Sequence, residues 1–278
     1  MNTSQPSLQP SHTQMTLGMF LRTRRERLSP TKAQASYRRR TPGLRREEVA
    51  LRANISAEWY TYLEQDRGVR PSTEVIERIA IALELTWAER EYLTALAFPR
   101  ANMLSPTTVL PEGLQRFIDD LEYRPAYVVN DFWDIVGWNL AATRVFPLQA
   151  LQQESEQPNL VKAVFLCEPW RQLYQSWELS ARRMLSLFRL FVANHSSHPR
   201  CTQLVSELLT SSEQFAMWWK QQDVAVSSSG IKQLIHPQMG ELLLNYTSFR
   251  TMDQPSLTVI SYSAHDAITK QRLQALHQ

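Results

Sequence analysis

Cysteine is scarce in this chain of 278 residues: only Cys167 and Cys201 are present. So few thiols exclude a disulfide framework and fit a reducing, cytoplasmic setting, in which inert buried thiols are the ordinary expectation and redox sensing the alternative. Glycine is scarce too, at seven residues, and no Gly-rich loop of the kind that cradles phosphate is present. A nucleophile elbow and a His-Glu metal motif are also missing. His195 and His198 are three apart, with His236 distant, and no Cys or carboxylate stands at ligand spacing beside them. No metal, cofactor or catalytic residue is therefore assigned, and an enzyme acting on a small molecule is the least supported reading. Nowhere does an apolar run reach about 18 residues, so no membrane insertion is expected. The first ten residues are polar and lack a basic head leading into an apolar stretch, which argues against secretion.

What the chain does have is 43% apolar and 10% aromatic residues, enough for a folded core and for one large or two ordinary domains. Its net charge of +3 conceals an asymmetry. Residues 1 to 100 carry 16 Lys and Arg against 11 Asp and Glu, whereas the remainder carries 14 against 16. Between residues 18 and 46 there are ten basic side chains and one acid, Glu26. A field this one-sided favours a polyanion such as double-stranded DNA, with a solubilising basic surface as the alternative.

Residues 1–14 read as a loose polar tail. "LGMFLRTRRERL" places Leu17, Phe20, Leu21 and Leu28 near helical spacing, and Pro30, Pro42 and Gly43 punctuate the basic stretch that follows. A second helix starts near Leu44 to Arg46, turns Val49, Ala50 and Ala53 inward, and stops at Asn54, a residue tolerant of left-handed backbone. Ser56 suits the N-cap of a third helix. "PSTEVIERIAIALEL", with Ser72 as cap, and "TWAEREYLTALA", with Thr86 and Glu89 in capping-box spacing, make the fourth and fifth. Residues 15–98 thus form a small all-helical domain. A linker with a connecting helix is expected over 99–122. Beyond Pro125, "AYVVNDFWDIVGWN" reads as a hairpin, "LAATRVF" as a short helix and 158–225 as mainly helical. "GIKQLIHP", "GELLLNYTSF" and "LTVISYSA" read as strands. Roughly five strands with packed helices over 123–264 make a mixed α/β or α+β layer, with a helix or tail over 265–278.

A helix-turn-helix lays its second helix in the major groove while the first braces it across the backbone. Ile55, Tyr60 and Leu63 are placed inward. Ala57, Glu58, Thr61 and Tyr62 form an outward row, in which Glu58 suits a cytosine amino group and Thr61 and Tyr62 suit base edges or phosphates. Arg22, Arg24, Arg25, Arg38, Arg39, Arg40, Arg45 and Arg46 suit phosphates, the last two beside helix-start amides. An ordinary helical hairpin with a solvated polar face is the competing interpretation.

"RRRTPGLRREEVALRANISAEWYTYLEQDRGVRPSTEVIERIA", with the blocks on either side of it, resembles the MmyB-like branch of Xre-type bacterial transcriptional regulators. The resemblance continues through "PAYVVNDFWDIVGWNLAA", "FAMWWKQQDV" and "GELLLNYTSF" and covers nearly the whole chain. It implies a five-helix lambda-repressor-like DNA-binding domain joined to a PAS-like, ligand-binding α+β domain with an antiparallel sheet. It also implies a small apolar ligand, for which a long-chain fatty acid has been suggested in the group. Family members usually have Gly where this chain has Asn54 and Asp66; the second departure bears on how the chain leaves the recognition helix.

The second domain holds six of the eight tryptophans. Either these pack a core or, with neighbouring apolar residues, they line a cavity. Trp133, Val136, Trp138, Phe165, Met184, Phe188, Trp219 and Leu243 are the candidate lining. Arg182 and Arg183 are candidates for a ligand carboxylate, with solvent or a salt bridge as their ordinary fate. Asn139 is expected to hold a strand-to-helix connection through side-chain to backbone bonds. Two half-sites would double the readout of one helix, so a homodimer is expected. The competing reading is a constitutive DNA-binding protein whose second domain dimerises or recruits a partner.

Overall fold

The computed structural model describes residues 16–29, 43–99, 109–154, 157–195, 198–221 and 230–277. The chain divides into two compact units. One comprises 1–101 with 189–206 and 220–225; the other comprises 102–188, 207–219 and 226–278.

The first unit opens with five helices: α1 (Leu17–Arg27), α2 (Arg46–Ala53), α3 (Ala57–Glu64), α4 (Thr73–Ala82) and α5 (Trp87–Ala97). Each start but that of α2 is marked by a hydroxyl. Thr16, Ser56, Ser72 and Thr86 accept hydrogen bonds from the amides of Met19, Trp59, Val75 and Glu89. Glu89 returns the bond to the Thr86 amide at 2.8 Å, completing a capping box. Caps of this kind contribute about 1 kcal/mol each. The apolar stripes of the helices meet in a core containing Phe20, Leu21, Val49, Tyr60, Ile79 and Leu93, all essentially sealed from water. Phe20 meets Tyr92 edge to face at 5.2 Å.

In the second unit α6 (Glu112–Asp119) precedes β1 (Ala126–Asn130) and β2 (Ile135–Trp138). The helices α7 (Leu140–Val145), α8 (Leu148–Glu154), α9 (Leu160–Leu166), α10 (Glu168–Leu173), α11 (Trp177–Asn194), α12 (Pro199–Ser211) and α13 (Glu213–Gln221) follow in the chain, with the end of α11, most of α12 and the last residues of α13 counted in the first unit. Then come β3 (Ile231–His236), β4 (Gly240–Arg250), β5 (Leu257–Ala264) and α14 (Ala267–His277). The five strands form one antiparallel sheet in the order β2-β1-β5-β4-β3. Gly240, at φ +71°, takes the left-handed position that closes the β3–β4 turn.

The segment 99–122, expected as a linker with a connecting helix, holds that helix as α6. Residues 100–108 lie outside the described residues, but α6 packs on the sheet. Ile118 is buried with Ala126, Val128, Leu257 and Val259, and Leu110, Leu114 and Leu121 close around them.

Two buried polar networks fix the strand connections. Asn139 Oδ1 accepts from the Ala126 amide at 3.0 Å and the Ala142 amide at 2.9 Å. Its Nδ2 donates to the Ile118 and Arg124 carbonyls, both at 2.9 Å. A single side chain thus ties α6, β1 and the start of α7. At the β1–β2 turn, Asn130 Oδ1 accepts from the amides of Phe132 and Asp134, while Asn159 Nδ2 donates to the Phe132 carbonyl and to Asp134 Oδ1. Buried amides satisfied this fully stabilise one arrangement over its alternatives.

Candidate DNA interface and ligand-binding unit

The corner between α2 and α3 is set by local chemistry. Asn54 takes left-handed angles, φ 53° and ψ 52°, and the Ile55 amide bonds back to the Ala50 carbonyl at 3.0 Å. Ser56 then caps α3. Val49, Ala50, Ala53, Tyr60 and Leu63 are buried, and Ile55 is half-buried. On the opposite face Glu58 is exposed and Ala57, Thr61 and Tyr62 are half-exposed.

That outer row is not chemically idle. The Tyr62 hydroxyl donates to Glu58 Oε1 at 2.6 Å, and this bond pushes the phenol's pKa up. The Thr61 hydroxyl donates to the Ala57 carbonyl at 2.7 Å, which leaves its oxygen as an acceptor. Arg67, just past the helix, lies 5.7 Å from the centroid of the Tyr62 ring. The row therefore offers a carboxylate, a hydroxyl oxygen, a phenol and an adjacent cation to whatever it faces. Arg67 escaped the sequence reading because it lies outside the arginine-dense stretch; its position after "YLEQD" was the available signal.

The arginines assigned to phosphates separate into several kinds. Arg24 and Arg25 are corrections: both are buried. Arg25 Nε and Nη2 donate to the two oxygens of Glu64 at 2.6 and 2.8 Å, and its Nη1 donates to the Leu44 carbonyl at 2.8 Å. Arg24 pairs with Glu89 at 2.9 Å and lies over the Phe20 ring. Arg24 and Arg25 follow Phe20 and Leu21 by four residues, on the buried stripe itself, which the charge count overlooked. Arg46 Nε donates to Glu64 at 2.8 Å from a half-exposed position. Arg22 is exposed and paired with Glu26 at 2.8 Å. The Arg45 side chain is exposed, but the Arg45 amide is engaged by Glu48 Oε2 at 2.6 Å, so it is not an open phosphate donor. Arg38, Arg39 and Arg40 lie outside the described residues.

Glu64 organises this charge. Burial raises its pKa, but hydrogen bonds from Arg25 and Arg46 outweigh that and hold it below the ordinary 4.5. Asp66 completes the exit from α3. It takes a left-handed φ of 53°, and its Oδ1 accepts the Gly18 amide at 2.9 Å. This chain meets the strain of the left-handed region with a side-chain bond to α1. Gly18 itself admits no side chain, because a Cβ would sit 2.4 Å from the Glu64 carbonyl oxygen.

In the second unit the structure gathers Phe165, Phe188 and Trp219 in one cluster and places other candidate ligand residues, Val136 and Leu243 among them, elsewhere. Val136 packs against the Ile118 cluster under α6. Half-buried Leu243 stands in register with exposed Gln233, and its amide donates to Thr269 Oγ1 at 3.1 Å. Trp133 occupies the β1–β2 turn at φ 66°, and Gln115 Nε2 donates to the Trp138 carbonyl at 3.1 Å. Phe165, Phe188 and Trp219 are buried in an aromatic cluster with Phe215 and Trp218, where Phe215 and Trp219 stack at 5.2 Å. Met184 is half-buried on α11. Arg182 pairs with Glu178 at 3.2 Å and lies over Trp218, so it takes the salt-bridge fate. Arg183 is half-buried beside Gly230.

Sequence reasoning missed a different cluster on the other face of the sheet. Tyr127, Phe146, Trp170 and Tyr262 are fully buried there; Phe146 stacks on Trp170 at 5.4 Å, and the Tyr127 and Tyr262 hydroxyls lie 2.7 Å apart. Half-buried Lys232 reaches into it from β3. The alternation in "GIKQLIHP" allows either face to be inward, so the sequence did not single out Lys232.

Among the described residues no three His, Cys, Asp or Glu side chains gather where a metal ion could be held. His236 is occupied structurally: Nε2 lies 2.9 Å from the Arg144 carbonyl, and Nδ1 accepts from the amides of Gln238 and Met239. Cys167 and Cys201 are buried and not joined in a disulfide, and burial pushes the Cys201 thiol up to about 12. No helix of the described residues is long and apolar enough to cross a membrane.

Family models match both parts of the chain. Residues 16–93 match a helix-turn-helix domain, and residues 110–276 match the ligand binding domain of MmyB-like transcription regulators. No curated protein matches the chain at a significant level. Both families serve DNA or ligand binding rather than catalysis. A helix-turn-helix unit followed by this domain, over most of its length, places the chain in the family of MmyB-like transcription regulators.

Proposed function

We propose that the protein is a sequence-specific DNA-binding regulator whose DNA affinity responds to a small apolar ligand held by a PAS-like second domain. A long-chain fatty acid is the candidate ligand, and two copies would occupy paired half-sites. The observation that carries the DNA-binding part is the α2–α3 corner: its inner face is sealed, and its outer row presents Glu58, Thr61 and Tyr62. In this reading Ala57, Glu58, Thr61 and Tyr62 face base edges in the major groove. Arg22, Arg45 and Arg67, with Arg46 in part, meet phosphates, while Arg24 and Arg25 hold the scaffold.

The test is a gel shift on DNA flanking the protein's own gene, with and without extracted lipid. Glu58→Ala should relax discrimination among sequences while sparing non-specific binding. Arg45→Ala should weaken binding to every duplex and reduce the salt slope by about 1. Equal damage to all sequences from Glu58→Ala would remove the base-reading role. A constitutive binder is favoured by the close packing of Phe165, Phe188, Phe215 and Trp219. Lipid-independent shifts, together with native mass spectra free of any bound ligand, would decide for it.

A further inference from the structure

The outward row of α3 has spent its hydrogens inside the helix. The Tyr62 hydroxyl donates to Glu58 Oε1 at 2.6 Å, one turn back, and the Thr61 hydroxyl donates to the Ala57 carbonyl at 2.7 Å. The side chain of Ala57 has nothing to donate. What Glu58, Thr61 and Tyr62 present outward is therefore lone pairs alone. Among the described residues no guanidinium or ammonium pairs with Glu58, unlike Glu64 and Glu89. It stands instead in the first turn of α3, where the helix dipole favours negative charge. The bond to Glu58 also raises the pKa of the Tyr62 phenol, so the phenol keeps its proton.

Base edges in the major groove differ in what they offer such a row. Cytosine presents an amino donor with no acceptor beside it, whereas adenine sets its amino donor next to the N7 acceptor. Guanine and thymine present acceptors, which lone pairs repel. The match to cytosine depends on the bond between Tyr62 and Glu58. A free phenol would aim its hydrogen at N7 or O6, and a free glutamate would swing among its rotamers. The bond spends the hydrogen that guanine would accept and fixes the carboxylate before DNA arrives, which lowers the cost of ordering it on binding.

We propose that Tyr62 is a positioning residue for Glu58, and that the two side chains act as one acceptor surface that selects a C·G pair through its cytosine amino group. The assignment rests on the DNA-reading function proposed above. It adds the base that is read and the residue that enforces the choice.

Selection of duplexes from a randomised library by the full-length protein, read by sequencing, tests it. The wild type should enrich a C·G pair at the position that Glu58→Ala blurs, by about 5- to 100-fold, the discrimination of one base contact. Tyr62→Phe should cut that preference to a few-fold and leave the other positions and non-specific affinity nearly unchanged. Glu58→Gln should move the preference to an A·T pair, because an amide sets a donor beside an acceptor. Replacing the guanine of the selected pair by 7-deazaguanine should cost little, since no hydrogen is aimed at N7. Undiminished preference in Tyr62→Phe would overturn the positioning role and leave base reading by Glu58 standing. Equal weakening of every duplex by Tyr62→Phe would put Tyr62 on a phosphate and overturn it as well. A 7-deazaguanine penalty as large as that of the wrong base pair would overturn the acceptor surface. Failure of the wild type to enrich any sequence would overturn both this assignment and the base reading beneath it.

Discussion

The two units treat buried positive charge in opposite ways. In the first, Arg25 and Arg46 converge on Glu64, and Arg24 meets Glu89, so every one of these guanidiniums has its carboxylate. In the second, Lys232 sits among phenols and pairs with no carboxylate among the described residues. Desolvating an ion costs several kcal/mol, and attraction to a well-placed counter-ion offsets that cost. A neutralised cluster is therefore complete within the protein and acts as scaffold. A half-buried cation whose hydrogen bonds go only to neutral hydroxyls keeps its charge uncompensated among the described residues. The same contrast explains why dense arginine is a poor guide to DNA contacts: part of it is internal structure.

Breaking the neutralised cluster should give the largest effect. Glu64→Ala leaves Arg25 buried without its counter-ion and should cost about 3–5 kcal/mol in urea denaturation. A loss below about 1 kcal/mol would show that water reaches Arg25 and that the contrast between the units is false. Asn139→Ala, which strips four buried hydrogen bonds, should cost roughly 2–4 kcal/mol; Asn139→Asp should fare little better, because a carboxylate cannot donate to the Ile118 and Arg124 carbonyls. Acid should probe the first cluster more gently. The Glu64 carboxyl has a folded-state pKa below the unfolded 4.5, so its contribution is present above 4.5 and is lost as pH falls through the lower folded value. Glu64→Gln should flatten that part of the pH profile. Lys232→Met, by contrast, should change stability by less than about 1 kcal/mol, because no partner is orphaned. The smallest effect concerns Cys201: at pH 8 a thiol raised to about 12 should resist alkylation until the chain unfolds.

Much of the helical unit was legible along the chain. Asn54, Ser56, Ser72, Thr86 and Glu89 mark where helices end and begin, and these are local effects that a single sequence displays. The strands of the second unit and the "HPQMG" turn were legible for the same reason. Which face of a strand turns inward was not. Ile231 and Ile235 are 45% and 44% exposed while Lys232, Leu234 and His236 point the other way, so apolarity alone does not select the inward side of β3. The proposed ligand residues came together only in part: Phe165 and Arg182 both meet Trp218, whereas Val136 packs under α6 and Leu243 lies on β4.

The sequence by itself determined the elements, their caps, the Asn54 corner and the division into a helical part and a sheet-containing part, because bonds between near neighbours and the periods of helix and strand are written in the order of residues. Only the tertiary structure decided that Arg24 and Arg25 are internal, that Asp66 binds α1, and that Lys232 meets Tyr174 and Tyr262. Those pairings join residues tens of positions apart, and whether a charge is a surface contact or a scaffold depends on what packing brings beside it.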